Sequence, residues 1–196
     1  MAIRRHGLAL TATRARMPSF RLAFSSISST ILRHTLVRWF AFSNIRMKSY
    51  GNYPSAWYEW YPAEVFYFDD ITIDEGDQIW AQVVATSPIT GKAVIKNLSK
   101  GQSVEKELSS AYPLCGANAE WIVEDFSYDN GTLVPLNDFG SVTFYDAFAL
   151  TTDPEEEIIS PYNATIILLE QNNKTITCVH EEELKVTISY DATVTR

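Results

Sequence analysis

The first fifty residues of this chain contain no aspartate and no glutamate, although the 196-residue sequence has 24 acidic residues in all. The same fifty residues carry eight arginines and one lysine, so their charge balance is +9, against −17 for residues 51–196. A basic segment rich in Ser and Ala resembles an organelle transit peptide in composition. It is a poor secretory signal, because Arg14 and Arg16 interrupt the apolar stretch 8–13. We therefore interpret residues 1–50 as a basic leader, disordered or mispredicted as a first exon, and residues 51–196 as the domain.

Histidine and cysteine are scarce, which limits the chemistry open to the chain. No pair among the three histidines and two cysteines has metal-ligand spacing, and no phosphate-binding glycine loop occurs. No Gly-x-Ser-x-Gly elbow accompanies His180, so we interpret this histidine as an ordinary strand residue beside the acidic residues 181–183. The sequence therefore predicts no metal and no cofactor. Cys115 and Cys178 allow either one disulfide or two buried thiols.

Long apolar runs are also missing: no stretch of eighteen apolar residues exists, so we expect no membrane-spanning segment. The acidic domain repels nucleic acid and anionic membranes, which excludes both as partners. Its self-repulsion falls as the pH drops toward the pKa values of carboxylates, so the charge balance favours an acidic working environment. Four Asn-x-Ser/Thr glycosylation triplets favour a secreted domain; they begin at Asn97, Asn130, Asn163 and Asn173.

The acidic part of the sequence is a series of short strand-like segments separated by turns, without helical periodicity. The predicted strands are residues 55–61, 78–86, 92–98, 103–108, 120–126, 141–148, 164–170, 175–180 and 185–190. Turn signals lie between several of them, at residues 87–91, 99–102 and 170–174. Short strands with a turn every ~8–12 residues are typical of an all-β sandwich or barrel.

Two strings of residues combine large aromatics with carboxylates. The first is Ser55-Ala-Trp-Tyr-Glu-Trp-Tyr-Pro62. Because successive side chains of a strand point to opposite faces, Trp57, Glu59 and Tyr61 share one face. Glu is depleted in strands, because a half-buried strand leaves little room for an unpaired charge. The three side chains are therefore either ordinary core and surface positions or the lining of an aromatic cleft.

The second string, Asn118-Ala-Glu-Trp-Ile-Val-Glu-Asp-Phe126, places a carboxylate next to a tryptophan. Alternation puts Glu120 and Ile122 on one face and Trp121 and Val123 on the other. Trp121 and Val123 are the predicted core pair, which leaves Glu120 on the outer, accessible face. From periodicity alone, a Glu in this position is a solvated surface carboxylate more often than a site residue.

These strings, followed by Asp138-Phe-Gly-Ser-Val-Thr-Phe144, resemble the glutamic peptidases, or eqolisins, in order and approximate spacing. The eqolisins are acid-acting secreted endopeptidases known mostly from fungi. The resemblance covers about residues 51–194. It implies an antiparallel β-sandwich of two strongly curved sheets, similar to the concanavalin A architecture, which agrees with the strands predicted above. We expect an extracellular monomer whose partner is a protein or peptide substrate.

In that family the catalytic pair is one Glu and one Gln, and the matching Glu here is Glu120. The resemblance implies that Glu120 is the general base, which takes a proton from the attacking water and returns it to the leaving amine. A carboxylate with the ordinary pKa of about 4.3 is a useful base only in acid or mildly acid conditions. The resemblance also implies that Trp57, Glu59 and Tyr61 line the substrate cleft.

The sequence departs from the family upstream of Trp57, where the catalytic Gln is expected. That region, residues 38–46, contains no Gln, and the first Gln of the chain is Gln78. The nearest amides that could replace it are Asn44 and Asn52. Because the Gln amide would stabilise the developing oxyanion with a hydrogen bond, its absence implies impaired catalysis.

The N-terminal strands of the family are missing together with the Gln, and so is the cysteine that commonly pairs with the position of Cys115. We therefore expect residues 51–196 to form an incomplete glutamic-peptidase domain. An alternative with the same fold is a non-enzymatic binding module, a curved sandwich whose aromatic groove holds carbohydrate or peptide.

Overall fold

The computed structural model describes residues 22–24, 42–44, 56–60, 63–74, 76–114, 119–123, 138–151 and 157–191, with only the backbone described for the first two segments. Every regular element in these ranges is a β-strand, which confirms the all-β fold predicted from the sequence. Within the same ranges, no helix is long and apolar enough to cross a membrane.

The strands are short and follow one another closely along the chain. In chain order they are β1 (Leu22–Phe24), β2 (Phe42–Asn44), β3 (Trp57–Trp60), β4 (Val65–Tyr67), β5 (Gln78–Ser87), β6 (Thr90–Asn97), β7 (Gln102–Ser109), β8 (Ser141–Tyr145), β9 (Ala149–Thr151), β10 (Glu157–Ile159), β11 (Glu170–Gln171), β12 (Lys174–Thr175), β13 (Thr177–Glu182) and β14 (Lys185–Tyr190). A seven-stranded antiparallel sheet has the order β13-β14-β8-β2-β5-β6-β7. A three-stranded sheet has the order β1-β3-β4, and two ribbons pair β9 with β10 and β11 with β12.

Strands β5, β6 and β7 form two consecutive antiparallel hairpins, as the sequence predicted. In the first turn Pro88 and Ile89 connect Ser87 to its ladder partner Thr90. The hydroxyl oxygens of Ser87 and Thr90 lie 2.6 Å apart and close this turn with a hydrogen bond. Side chains of β7 alternate between half-buried and exposed along its whole length, as expected of a strand with one face on a core.

The predicted turn at residues 170–174 is also present. It is a two-residue connection between β11 and β12, and Asn172 and Asn173 have positive φ angles of 51° and 59°. A type I′ hairpin requires positive φ at both central residues, and Asn tolerates it well. The final predicted strand is confirmed with its bounds, since β14 spans Lys185–Tyr190.

The hydrophobic core lies between the seven-stranded sheet and the layer that contains β3. Alternate residues of the large sheet supply one side of the core: Ile79, Ala81, Val83, Ala93, Ile95, Val142, Phe144, Val186 and Ile188. Ala56, Trp60 and Phe68 pack on them from the other layer. Full burial stabilises the fold by about 1.5–3 kcal/mol for each large apolar side chain. This two-layer packing is the β-sandwich that the sequence predicted.

Gly91 of β6 allows the two layers to approach closely. A Cβ atom at this position would lie 2.8 Å from the carbonyl oxygen of Val84 and 3.5 Å from Cζ3 of Trp60. Because glycine has no side chain, the indole ring of Trp60 packs directly over the backbone of β6. The close approach, rather than a special backbone angle, is the reason for glycine here.

The strand predicted at residues 120–126 is wrong in its described part. Residues 119–123 belong to no strand, and residues 124–126 lie outside the described ranges. The segment has the aromatic and β-branched residues that favour strands. Propensity alone does not make a ladder, however, because a strand needs a neighbouring strand in register.

Two further strand predictions differ from the structure for local reasons. Residues 164–169 form no strand, and only Glu170 of that prediction enters a ladder, in β11. The strand predicted at 141–148 ends at Tyr145, because Asp146 adopts a positive φ of 47° that a strand does not continue through. The chain then enters β9 at Ala149, three residues after Asp146.

Two strands lie within the predicted leader. β1 pairs in parallel with β3, and β2 lies between β8 and β5 in the seven-stranded sheet. The division of the chain into a leader at residues 1–50 and a domain at residues 51–196 stays a prediction.

Candidate active site

Strand β3 carries the first aromatic string and is the central strand of its sheet, with β1 on one side and β4 on the other. Its last residue, Trp60, is 4% exposed and belongs to the core. The indole Nε1 of Trp60 donates a 2.8 Å hydrogen bond to the carbonyl oxygen of Tyr112. This bond ties β3 to residues 110–114, the segment that follows β7 and leads toward Glu120.

Tyr58 packs against the core from the same side of β3 as Trp60. Its ring stacks on Phe66 at 5.8 Å between centroids and meets Phe68 edge-on at 4.9 Å. Burial raises the pKa of Tyr58, and the negative charge of Asp69 raises it further, so the phenol is protonated in acid and at neutral pH. The shared side of Tyr58 and Trp60 is the one that alternation predicted.

Trp57 and Glu59 alternate with these core residues, so they point to the opposite side of β3. Trp57 is buried separately from the main core cluster. Glu59 is only 7% exposed, which is unusual for a carboxylate, because burying a charge is costly unless it is paired or hydrogen-bonded. Tyr61, the third residue of this predicted face, lies outside the described residues.

Glu120 lies in the described segment 119–123 and is half-buried. Val123 belongs to the core, and Ala119 and Trp121 pack against it. Glu120 is absent from the core cluster that its neighbours Ala119 and Trp121 contact. The predicted core pair, Trp121 and Val123, is therefore confirmed, although the segment carries them without the predicted strand ladder.

The segment before Glu120 is held on the β5–β6 turn by backbone hydrogen bonds. The amide of Ser110 donates to the carbonyl of Ile89 at 3.0 Å, and the amide of Leu114 donates to the carbonyl of Pro88 at 2.7 Å. Leu114 also packs against the core. Together with the bond between Trp60 and Tyr112, these contacts hold residues 110–114 against the β5–β6 turn and the end of β3.

The third motif, residues 138–144, has a structural role. The amide of Gly140 donates to Oδ1 of Asp138 at 2.9 Å, in a turn where Gly140 has a φ of +66°. This turn directs Phe139 into the core, where its ring meets Tyr190 edge-on at 5.9 Å between centroids. Phe144, five residues after Phe139 in the sequence, lies in β8 and is also buried.

A polar cluster that the sequence analysis missed joins the loop before β5 to the β6–β7 turn. Asn97 is fully buried, and its Nδ2 donates to the carbonyl of Thr72 at 2.8 Å and to Oδ2 of Asp77 at 2.6 Å. Lys100 Nζ lies 3.1 Å from the same Asp77 oxygen and 2.7 Å from Oδ2 of Asp74. The sequence signal was misleading, because Asn97-Leu-Ser99 was interpreted only as a glycosylation triplet.

Asp77 is the centre of this cluster. Burial alone would raise the pKa of Asp77, but hydrogen bonds from the backbone amide of Asp74, from Asn97 and from Lys100, with the positive charge of Lys100, bring the pKa below its ordinary value. The carboxylate therefore stays ionised to a lower pH than an ordinary aspartate does. The cluster joins the loop before β5 to the end of β6.

The described residues give no group of three or more His, Cys, Asp and Glu side chains placed to hold a metal ion. Cys178 is exposed on β13 with a free thiol, so neither a disulfide nor a buried thiol applies to it. It lies at an outward position of an edge strand, which explains its exposure. Cys115 lies outside the described residues. His180 is on β13, as predicted.

Fold and site together define the chain as an all-β sandwich whose aromatic–acid strings carry one buried carboxylate, Glu59, and one half-buried carboxylate, Glu120. The model of the Peptidase A4 family matches residues 43–190, and the chain belongs to this family. The membership confirms the resemblance to the glutamic peptidases.

Two curated relatives are similar over about 70% of the chain each. Aspergillopepsin-2 of Aspergillus niger is 44% identical over 137 residues, which are 69% of this chain and 47% of the relative. Scytalidopepsin B of Scytalidium lignicola is 37% identical over 147 residues, 71% of this chain and 55% of the relative. The chain thus spans about half the length of these relatives.

Solved structures give the same result. The crystal structure of aspergilloglutamic peptidase from Aspergillus niger superposes with a TM-score of 0.66 at 36% identity, covering 81% of this chain and 99% of that chain. Scytalido-glutamic peptidase with a transition state analog inhibitor gives a TM-score of 0.62 at 31% identity, covering 94% of each chain. These similarities confirm the β-sandwich.

Proposed function

We propose that this chain is a glutamic-type endopeptidase domain that hydrolyses peptide bonds of protein or peptide substrates, with Glu120 as the general base. The observation that carries the proposal is that Glu120 is half-buried between Ala119 and Trp121, both of which pack against the core, so its backbone is held in place while part of the residue stays accessible. Family membership supports the reaction class. The proposal needs no metal and no cofactor.

In the proposed reaction, a carboxylate oxygen of Glu120 takes a proton from water while the water oxygen forms a bond to the scissile carbonyl carbon. When the tetrahedral intermediate collapses, the carbon–nitrogen bond breaks and the proton passes from Glu120 to the leaving amine. Rigid mounting matters for both steps, because a general base works only within hydrogen-bond reach of the proton. Val123, which lies in the core, and Trp121, which packs against the core, hold the segment of Glu120 in place.

We propose that Trp57, Glu59 and Tyr61 line the substrate cleft. Trp57 and Glu59 support this because both point to the side of β3 that faces away from the core. Each side chain is 7% exposed, so a substrate would meet only an edge of the Trp57 ring, and the Glu59 carboxylate could accept a hydrogen bond from a peptide N–H group.

The reaction also needs a group that stabilises the oxyanion, and the family supplies it as a Gln amide. The sequence has no Gln before Gln78, and Asn44 lies in β2 of the seven-stranded sheet rather than in the sheet of β3. Asn52 lies outside the described residues. One lost oxyanion donor costs on the order of 10²–10³ in rate in better-studied hydrolases. We therefore propose that the chain is impaired.

The charge balance supports an acidic site of action. Residues 51–196 carry −17 at neutral pH, and this self-repulsion weakens as carboxylates become protonated. Asp77 and its partners add a cluster that stays intact in moderate acid. We propose a secreted glycoprotein that acts as a monomer outside the cell.

The experiment compares hydrolysis of denatured haemoglobin by this chain and by aspergillopepsin-2 at equal concentration, at about pH 2–5, around the ordinary pKa of glutamate. The expected rate for this chain is on the order of 10²–10³ below that of the relative, the cost of one missing donor. A rate equal to that of the relative would contradict the impairment. No hydrolysis at any pH, combined with measurable binding of a polysaccharide or an uncleaved peptide, would contradict the peptidase and support the binding module.

A further inference from the structure

The chain around residue 163 exposes an unusual amount of apolar surface. We call it the 158–167 surface; it consists of Ile158, Tyr162, Ile166 and Ile167, all exposed, with exposed fractions of 63% for Ile158 and 77% for Ile167. Ile159 follows Ile158 in β10 and points to the opposite face. Single exposed apolar residues are ordinary, but several together mark a surface that is covered by something.

Asn163 lies near the middle of this stretch of sequence, in a tight turn. The amide of Ala164 donates to the carbonyl of Pro161 at 3.1 Å, and Asn163 has a φ of 63°, which Asn tolerates well. The backbone amide of Asn163 donates to Oε1 of Glu181 at 3.2 Å, which fixes the turn on β13. Its side chain is exposed and begins the acceptor triplet Asn163-Ala-Thr165.

We propose that Asn163 carries an N-linked glycan and that this glycan covers the 158–167 surface. A carbon–nitrogen bond forms between the side-chain amide nitrogen and the anomeric carbon of an oligosaccharide bound to a lipid diphosphate. The lipid diphosphate leaves, and the amide nitrogen loses one proton. The apolar faces of the first sugar rings then pack on Tyr162 and the isoleucines, each of which lies within roughly 18 Å of Asn163 along the chain.

The other acceptor triplets have different surroundings. Asn97 is fully buried and uses its amide nitrogen in two hydrogen bonds, so a glycan there is incompatible with the fold. Asn173 is exposed, but the residues on either side of it, Asn172 and Lys174, are exposed and polar. Asn130 lies outside the described residues. The structure thus selects Asn163 for the covering role.

The inference rests on the extracellular part of the proposed function. Its test produces the full chain behind a cleavable secretion leader in a eukaryotic host, and measures glycan occupancy at each triplet by peptide mass spectrometry after enzymatic deglycosylation in heavy-oxygen water. Occupancy is measured in the intracellular pool as well as in the medium, so poor export does not remove the result. We expect Asn163 occupied and Asn97 unoccupied in the folded protein; an unoccupied Asn163 overturns the proposal.

The covering role is tested with two variants of the exposed Thr165, which leave the turn residue unchanged. Thr165→Ala removes the acceptor triplet, whereas Thr165→Ser keeps it. We expect Thr165→Ala to bind a hydrophobic dye several-fold more strongly and to self-associate, and Thr165→Ser to behave as the parent chain. Equal dye binding by both variants, or self-association of the glycosylated parent through this surface, overturns the covering role. Neither readout depends on peptide hydrolysis, so a failure of the proposed peptidase is a separate result.

Discussion

The indole Nε1 of Trp60 donates a 2.8 Å hydrogen bond to the carbonyl oxygen of Tyr112, across 52 positions of sequence. Trp60 ends the strand that carries Trp57 and Glu59, and Tyr112 lies in the segment that leads toward Glu120. One buried tryptophan therefore connects the first string to the segment 110–114 that follows β7. The ring also fills the space above Gly91, so Trp60 joins both layers of the sandwich as well.

We expect Trp60→Phe to lower the free energy of unfolding by about 1–3 kcal/mol, because it removes the donor to Tyr112 and leaves part of the indole volume empty. Urea denaturation gives the value. The matched control is Trp80→Phe on β5, whose ring is half-buried and lies 4.4 Å from Lys96 Nζ. A cation–π contact of this kind is worth about 0.5–1 kcal/mol, so Trp80→Phe is expected to cost less. Equal costs for the two variants would contradict the connecting role of Trp60.

Gly91→Ala should destabilise the fold by about 1–3 kcal/mol, since the new methyl group would overpack against the Val84 carbonyl and the Trp60 ring. Thermal unfolding measures the change. Gly101→Asn is the control at an exposed turn glycine, where φ is +66° and nothing lies near the missing Cβ. Asn tolerates such angles, so the control is expected to be nearly neutral. A stable Gly91→Ala variant would show that the layers have more room than the structure indicates.

The Asp77 cluster predicts a pH dependence of stability with a definite sign. The pKa of Asp77 is lowered in the fold, so its stabilising contribution is complete above the ordinary value of 3.8 and is lost as the pH falls through the lower value of the folded state. Asp77→Asn should therefore lower the unfolding free energy at pH 6 by about 1.5–3 kcal/mol, the range for a hydrogen bond to a charged group.

The same variant should differ less and less from the parent chain as the pH is lowered below 3.8. Urea midpoints at several pH values give this difference. Glu107→Gln is the control, because Glu107 forms only an exposed ion pair with Lys92 and is expected to have little effect at any pH. A cost of Asp77→Asn that stays constant down to pH 2 would contradict the lowered pKa.

The sequence predicts the parts of this fold that local chemistry determines. Strands β5, β6, β7 and β14 follow alternating patterns bounded by turn residues, and the Asn172–Asn173 turn needs only the backbone preference of asparagine. The core-facing positions of Trp121 and Val123 were predictable for the same reason, because alternation survives even where no ladder forms.

Other features depend on distant parts of the chain. Asn97 has the local pattern of a surface triplet, but Thr72 and Asp77 bury it in a hydrogen-bonded cluster. The segment predicted as a strand at 164–170 has strong β propensity, yet residues 164–169 form no strand. Pairing requires a partner strand, which propensity does not specify. The burial of Glu59 is likewise set by packing around β3 and was not visible in the alternation.

The most direct test of the central claim is the rate of peptide hydrolysis at acid pH by the parent chain, by Glu120→Gln and by Glu107→Gln, measured with a sensitive fluorogenic peptide. A general base contributes on the order of 10²–10⁴ to the rate, so Glu120→Gln is expected to reduce even the low rate of this chain by at least about 10². The exposed Glu107, on the edge strand of the large sheet, is expected to be dispensable. Hydrolysis by Glu120→Gln at the rate of the parent chain would contradict the assignment of Glu120 as the catalytic base.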